Sequence, residues 1–174
     1  SKYSKLDINP NDDVNMSQSS NDVIPTAMHC AYYVDTAEKL MPAMDLLIDT
    51  IAKKIAQYHG VVKTGRTHLM DAMPLTIDQE LGAWNTQLLN ARASLITVLD
   101  AMRFLPQGGT AVGTGINAHP RFAREFCKAI SPLVGFKAET SNDYFRNLSS
   151  QDLSVQLSGE LKNLAVILMK ISND

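Results

Sequence analysis

The sequence predicts an all-α protein, a bundle of long helices, and three observations support this fold class. Apolar residues recur every three or four positions in several long segments, which places them on one face of a helix. The alternating patterns typical of strands are almost absent. No internal repeat or low-complexity tract breaks the pattern. Residues 1–174 are therefore interpreted as one helical-bundle domain whose apolar stripes other subunits can complete.

The first two predicted helices lie between residues 21 and 58. Asn21 and Asp22 are typical capping residues, and the first turn after them tolerates Pro25, so a helix is expected from there to about Leu40. A second helix is expected to end at His59-Gly60. Its apolar stripe consists of Met41, Met44, Ile48, Ile51, Ile55 and Tyr58.

The longest periodic segment follows a loop expected at residues 65–68. It keeps three-four spacing over three heptads, which is typical of the seam of a bundle. The seam positions are Leu81, Trp84, Leu88, Ala91, Leu95, Val98 and Met102. The stretch from Gly108 to Gly115 is predicted to be a turn or tight loop, because each Gly in a helix costs roughly 1 kcal/mol relative to Ala.

Two more helices complete the predicted bundle. One is expected from Pro120 to Leu133, and the last begins at about Gln151. The apolar face of the last helix consists of Leu153, Leu157, Leu161, Leu164, Leu168 and Ile171.

Composition excludes several function classes. The net charge is −2, with 16 Lys and Arg against 18 Asp and Glu, and no basic arm is present, so nucleic acid is not an expected partner. The apolar runs are shorter than the roughly 20 residues that a bilayer-spanning helix needs. Cys30 and Cys127 lack metal-ligand spacing, so we expect reduced thiols, a reducing compartment and no zinc site.

Ser17–Asn21 places hydroxyl and amide groups just before a helix. The free N–H groups and positive dipole of a helix N-terminus suit a carboxylate. Ordinary helix capping is the commoner reason for such a cluster.

His68 is the strongest acid–base candidate among the four histidines. It stands in the predicted loop beside Arg66 and three residues before Asp71, whose carboxylate could polarise the imidazole. Most lone histidines have no such role. The turn-forming run from Asn9 to Asp13 lacks the Gly and Glu of an EF-hand, and the glycine stretch lacks the lysine of a phosphate-binding loop.

Three blocks of the sequence, in order, resemble the motif blocks of class II fumarases and the similar aspartate ammonia-lyases. The blocks are Asn11–Asp22, Gly65–Ala72 and Gly109–Asn117. Residues 152–174 also resemble the next central helix of this superfamily. Ser20 favours fumarase, because aspartases usually have Thr there, and Asn117-Ala118-His119-Pro120 also favours fumarase.

The resemblance implies roles for particular residues. Ser19, Ser20, Asn21 and Thr67 would bind the dicarboxylate, and His68 would belong to the proton-transfer machinery. A peripheral dicarboxylate site would fall on Asn9, Pro10, Asn11 and Asp12. Fumarases commonly have His where this chain has Asn9, so binding there is expected to be weak or absent.

The resemblance further implies a fumarate hydratase of the tricarboxylic acid cycle that is a homotetramer and needs no metal or organic cofactor. Its substrates would be fumarate and malate, and its location the cytoplasm, or a mitochondrion in a eukaryote. The family's catalytic serine loop is expected beyond Asp174, since both ends read as cuts through a longer protein, and the chain alone is expected to be inactive. The alternatives are an aspartate ammonia-lyase and a non-catalytic helical oligomerisation module.

Overall fold

The computed structural model describes residues 7–174 and confirms the all-α fold class. Six helices and four short strands make up the described chain. The helices are α1 (Ser20–Asp35), α2 (Met41–Gln57), α3 (Ile77–Met102), α4 (Phe122–Val134), α5 (Tyr144–Ser149) and α6 (Asp152–Asn173). The strands are β1 (Val62–Thr67), β2 (Met70–Thr76), β3 (Phe104–Leu105) and β4 (Glu139–Thr140). Two π-helical turns occupy Pro10–Val14 and Thr36–Leu40.

The described residues separate into two compact units, and each is described by itself. The first unit contains residues 7–34 and 99–154. The second unit contains residues 35–98 and 155–174.

The core of the first unit lies where β3, β4 and α4 meet. It contains Leu105, Cys127, Phe136 and Ala138. Tyr33 of α1 packs on the Phe136 ring with 4.1 Å between the ring centroids. β3 and β4 pair in parallel, so the chain after α3 and the chain after α4 are held side by side.

The second unit confirms the predicted stripes of α2 and α3 in large part. Met41, Met44, Ile48 and Ile51 of α2 are buried. The α3 positions buried in this unit are Leu88, Ala91, Leu95 and Val98. Arg92 donates two hydrogen bonds to the carboxylate of Asp45, at 2.5 and 3.2 Å, and so ties α3 to α2.

The expected loop at residues 65–68 is wrong, because these residues belong to a β-hairpin. β1 and β2 pair antiparallel, with Thr67 opposite Met70. Gly65 lies at an irregularity in the pairing, and a Cβ there would stand 2.5 Å from the Met73 carbonyl oxygen. Glycine therefore allows a close approach of the two strands at a position where any side chain would collide.

Two details of the predicted helices also differ from the structure. On α6, Leu161 and Leu168 are 40% and 38% exposed, whereas Ile167 is 7% exposed. The buried stripe therefore runs from Leu164 to Ile167 rather than to Leu168. The apolar spacing after Leu164 is three residues instead of four, a choice that periodicity alone leaves open.

Candidate carboxylate site at the start of helix α1

Helix α1 begins with a reciprocal pair of capping bonds. The Ser19 hydroxyl oxygen accepts from the Asn21 N–H at 3.2 Å, and the Asp22 carboxylate accepts from the Ser19 N–H at 3.0 Å. This arrangement is a capping box with Asp at the third helical position. The predicted cap at Asn21-Asp22 is thus corrected to Ser19, and Pro25 falls in the second turn rather than the first.

The glycine-rich loop lies against this helix start. The other oxygen of the Asp22 carboxylate accepts from the Gly108 N–H at 3.0 Å and the Thr110 N–H at 2.9 Å. Gly108 has a φ of +106°, and a Cβ there would stand 2.5 Å from the Cβ of Ala123. The prediction of a tight loop is confirmed, and glycine is needed at this position both for the backbone angle and for space.

Two further hydrogen bonds extend the contact between the segments. The Asn21 side-chain amide donates to the Ala111 carbonyl oxygen at 2.7 Å. The Ser17 hydroxyl donates to the Asn117 carbonyl oxygen at 3.4 Å. Residues from two of the three sequence blocks are thereby brought together in the first unit.

Most hydrogen-bond donors of the first helical turn are already used inside the protein. The Asp22 and Val23 N–H groups both reach the Ser19 carbonyl oxygen, and the Ser19 and Asn21 N–H groups take part in the capping box. Within residues 7–174, neither the N–H nor the hydroxyl of Ser20 has a hydrogen-bond partner. Ser20 is therefore the residue whose backbone and side-chain donors both remain for a ligand.

Two pockets flank the segment before α1. One has a volume of about 300 Å³ and is lined by Asn15, Gln18, Ser19, Ser20, Val23 and Ile24. The other, of about 350 Å³, is lined by Ser17, Gln18, Ser19, Thr110, Ala111, Ile116 and Asn117. Hydroxyl and amide groups beside the positive end of a helix dipole can hold a carboxylate in such a space.

Thr67 and His68 lie in the second unit, at the tip of the β1–β2 hairpin. His68 and Leu69 form its two-residue turn, with φ values of +52° and +60°, as in a type I′ turn. Both Thr67 and His68 are exposed. Such φ values are uncommon for residues other than Gly, Asn and Asp, and strain of this kind often lies at functional sites.

The proposed polarisation of His68 by Asp71 is wrong for this chain. Asp71 is paired with Arg66 at 3.1 Å across the hairpin. Among the residues that the structure describes, His68 makes no side-chain hydrogen bond. The reason is the turn, which opposes Arg66 to Asp71 in the strand register.

A different histidine, His59, has a carboxylate partner. Its Nδ1 lies 3.0 Å from an Asp78 oxygen. Hydrogen bonds from the Thr76 side chain, the Gly60 N–H and His59 lower the pKa of Asp78. No sequence pattern indicates this pair, because 19 residues and the whole hairpin separate its members.

The turn at Asn9–Asp13 uses its own polar groups. The Asn9 side-chain oxygen accepts from the N–H groups of Asn11 at 2.8 Å and Asp12 at 3.3 Å. The Asn9 N–H donates to the Asp13 carboxylate at 2.9 Å. All of these residues, with Pro10, are exposed, and the Asn9 side-chain oxygen already serves as a helical cap.

Neither a metal-ligand cluster nor a membrane-spanning helix occurs among residues 7–174. In that part of the chain, no three His, Cys, Asp or Glu side chains are grouped as a metal site requires. None of its helices is long and apolar enough to cross a membrane.

The comparisons with known proteins place this helical fold in a family of lyases. The sequence matches the family described as lyase over residues 2–174, and the chain belongs to that family. It is 50% identical over 167 residues to fumarate hydratase class II 2 of Pseudomonas aeruginosa, covering 96% of this chain and 36% of that protein. It is 48% identical over 173 residues to the class II fumarate hydratase of Bacillus subtilis, covering 99% of this chain and 37% of that protein.

The solved structure of a class II fumarase from Schistosoma mansoni is also similar. Its TM-score is 0.91 at 36% sequence identity, over 98% of this chain and 39% of that structure. The chain thus spans little more than a third of the length of the curated relatives it matches.

Proposed function

We propose that the full-length protein is a class II fumarate hydratase that interconverts fumarate and (S)-malate. The names of the relatives support this reaction. The observation that carries the proposal is the unpaired N–H and hydroxyl of Ser20 within the described chain, beside a pocket at the positive end of α1. These groups suit one carboxylate of a dicarboxylic acid.

The chemistry explains the proposed division of roles. Adding water across fumarate needs proton transfer at one carbon, hydroxyl transfer at its neighbour and stabilisation of an aci-carboxylate. Ser19, Ser20, Asn21 and Thr67 bind the carboxylates, with Ser20 as the direct donor at α1. His68 acts in proton transfer, with a partner other than Asp71.

The rest of the proposal concerns the whole protein. It acts as a homotetramer in the tricarboxylic acid cycle, without a metal or organic cofactor, in the cytoplasm, or in a mitochondrion if the source is eukaryotic. The present sequence lacks the Gly-Ser-Ser loop motif of the family, so this chain is inactive by itself. A peripheral dicarboxylate site at Asn9, Pro10, Asn11 and Asp12 binds weakly, because Asn9 is neutral and its side-chain oxygen is engaged.

The test is fumarate absorbance after malate is added to this chain and to the full-length protein. Activity in the full-length protein alone is the expected result. No conversion by either protein would contradict the proposal, and ammonia release from aspartate would instead identify an aspartate ammonia-lyase.

A further inference from the structure

We propose that Asp22 is a positioning residue of the carboxylate site, which fixes the start of α1 on the glycine-rich loop and so places the donors of Ser20. The inference rests on the proposed dicarboxylate function. Asp22 is 0% exposed, and both of its oxygens are engaged by N–H groups. It therefore acts through its neighbours rather than by touching the substrate.

The three hydrogen bonds of Asp22 join two distant parts of the chain. One oxygen holds the Ser19 N–H, and the other holds the Gly108 and Thr110 N–H groups. Within residues 7–174, no Lys or Arg is paired with this carboxylate. A buried carboxylate is costly unless hydrogen bonds replace its water, so these N–H groups are held firmly in place around it.

Another aspartate at a helix start shows what capping alone requires. Asp143 caps α5 through one hydrogen bond from the Arg146 N–H at 3.0 Å, and it is exposed. Asp22 is buried and uses its second oxygen for the loop that lines the neighbouring pocket. The additional hydrogen bonds of Asp22 therefore hold the glycine-rich loop beside the site, which capping of the helix does not require.

Asp22→Asn in the full-length enzyme tests this role. Asparagine has one acceptor oxygen, and its NH₂ group cannot accept from an N–H. Either Ser19 or the Gly108–Thr110 pair then loses its acceptor, and the Ser20 donors shift. We expect the KM for fumarate to rise about tenfold, the equivalent of one hydrogen bond, while kcat falls no more than about threefold.

Asp143→Asn is the matched control, because asparagine caps a helix as well as aspartate does. Its KM is expected to match that of the wild type. A lower melting temperature with unchanged KM in Asp22→Asn would overturn the proposal, because KM does not depend on the fraction of folded enzyme. Asp22→Ser, a smaller substitution that also removes the second oxygen, is measured in parallel in case the first variant folds poorly.

A double-mutant cycle with Ser20→Ala identifies the route of the effect. If Asp22 acts through Ser20, the rise in KM of the double variant is smaller than the product of the two single effects, because Ser20→Ala removes one of the two donors that Asp22 places. If the double variant instead shows the full product of the two single effects on KM, the proposal is overturned. Wild-type turnover of fumarate is measured first, so that absence of the proposed function is distinguished from absence of a positioning role.

Discussion

The Asn21 side-chain amide donates a 2.7 Å hydrogen bond to the Ala111 carbonyl oxygen, across 90 residues of sequence. Asparagine side chains commonly bind ligands. Here, one of the two amide hydrogens of Asn21 instead holds the glycine-rich loop. With the N–H of Asn21 also bonded to Ser19, the main donor at this helix start is Ser20.

Ser20→Ala is expected to weaken substrate binding in the full-length enzyme. The change removes the hydroxyl and leaves the N–H, so the KM for fumarate should rise about tenfold, as expected for loss of one hydrogen bond to a charged group. Steady-state kinetics measure this. Ser158→Ala, at an exposed position of α6, is the control, and equal KM values for the two variants would argue against a carboxylate at Ser20.

His68→Asn is expected to lower kcat by at least about a hundredfold, the usual contribution of a general acid or base. His59→Asn is the matched control, since His59 is also an exposed histidine of the second unit. Rate measurements on both full-length variants separate the two residues. A larger loss in His59→Asn would move the acid–base role to the His59–Asp78 pair.

The helices could be predicted from the sequence because their signal is local. Three-four apolar spacing placed α2, α3 and α6, and α4 begins two residues and ends one residue from its predicted bounds. The hairpin was missed because β2 is exposed along most of its length, which leaves no alternation to detect. Its turn residues, His68 and Leu69, are also not the Asn and Gly that type I′ turns prefer.

The sequence indicates only part of the candidate site, because several of its contacts join distant residues. The binding roles of Ser19, Ser20 and Asn21 are implied by the resemblance of their sequence block to class II fumarases, and they stay a prediction. The hydrogen bond from the Thr110 N–H to Asp22 joins residues 88 positions apart. A contact over that separation leaves no periodic pattern in the sequence, so the sequence does not predict it. The sequence pattern therefore predicts only a capping role for Asp22.

Gly65→Ala is expected to destabilise the hairpin by about 1–3 kcal/mol, the range for a group forced into a filled space. The added Cβ would stand 2.5 Å from the Met73 carbonyl oxygen and 2.6 Å from a Leu75 methyl group. Gly82→Ala in α3 is the control. Its Cβ meets no atom within 4 Å, so helix propensity alone should make it about 1 kcal/mol more stable than the wild type.

Thermal or urea unfolding of the two glycine variants measures the difference, and hydrogen exchange at the β1–β2 amides shows whether the loss is local. Equal stability of Gly65→Ala and wild type would mean that the strands separate at this position without cost.

Acid is expected to destabilise the first unit through His29. This side chain is 4% exposed, and its Nδ1 has no hydrogen-bond partner within the described residues. Burial lowers the pKa of His29 below its ordinary value of 6.5, and the Phe104 carbonyl offsets only part of this effect. The folded chain therefore binds a proton at His29 less readily than the unfolded chain does.

The sign of the pH dependence follows from this difference. Between pH 6.5 and the lower pKa of the folded state, the unfolded chain carries more protons, so the free energy of unfolding falls as pH falls. The contribution of His29 is constant above that window. Urea unfolding between pH 8 and pH 5 should show a steeper acid loss for the wild type than for His29→Gln, which cannot titrate.

Thr26→Val serves as the control for this pH series. The Thr26 hydroxyl is also buried without a hydrogen-bond partner in the described chain, and its removal changes no titrating group. The stability of Thr26→Val should therefore follow a curve parallel to that of the wild type, displaced by a constant amount. If His29→Gln instead kept the full wild-type slope, the acid sensitivity would belong to carboxylates, and His29 would be protonated in the folded state without cost.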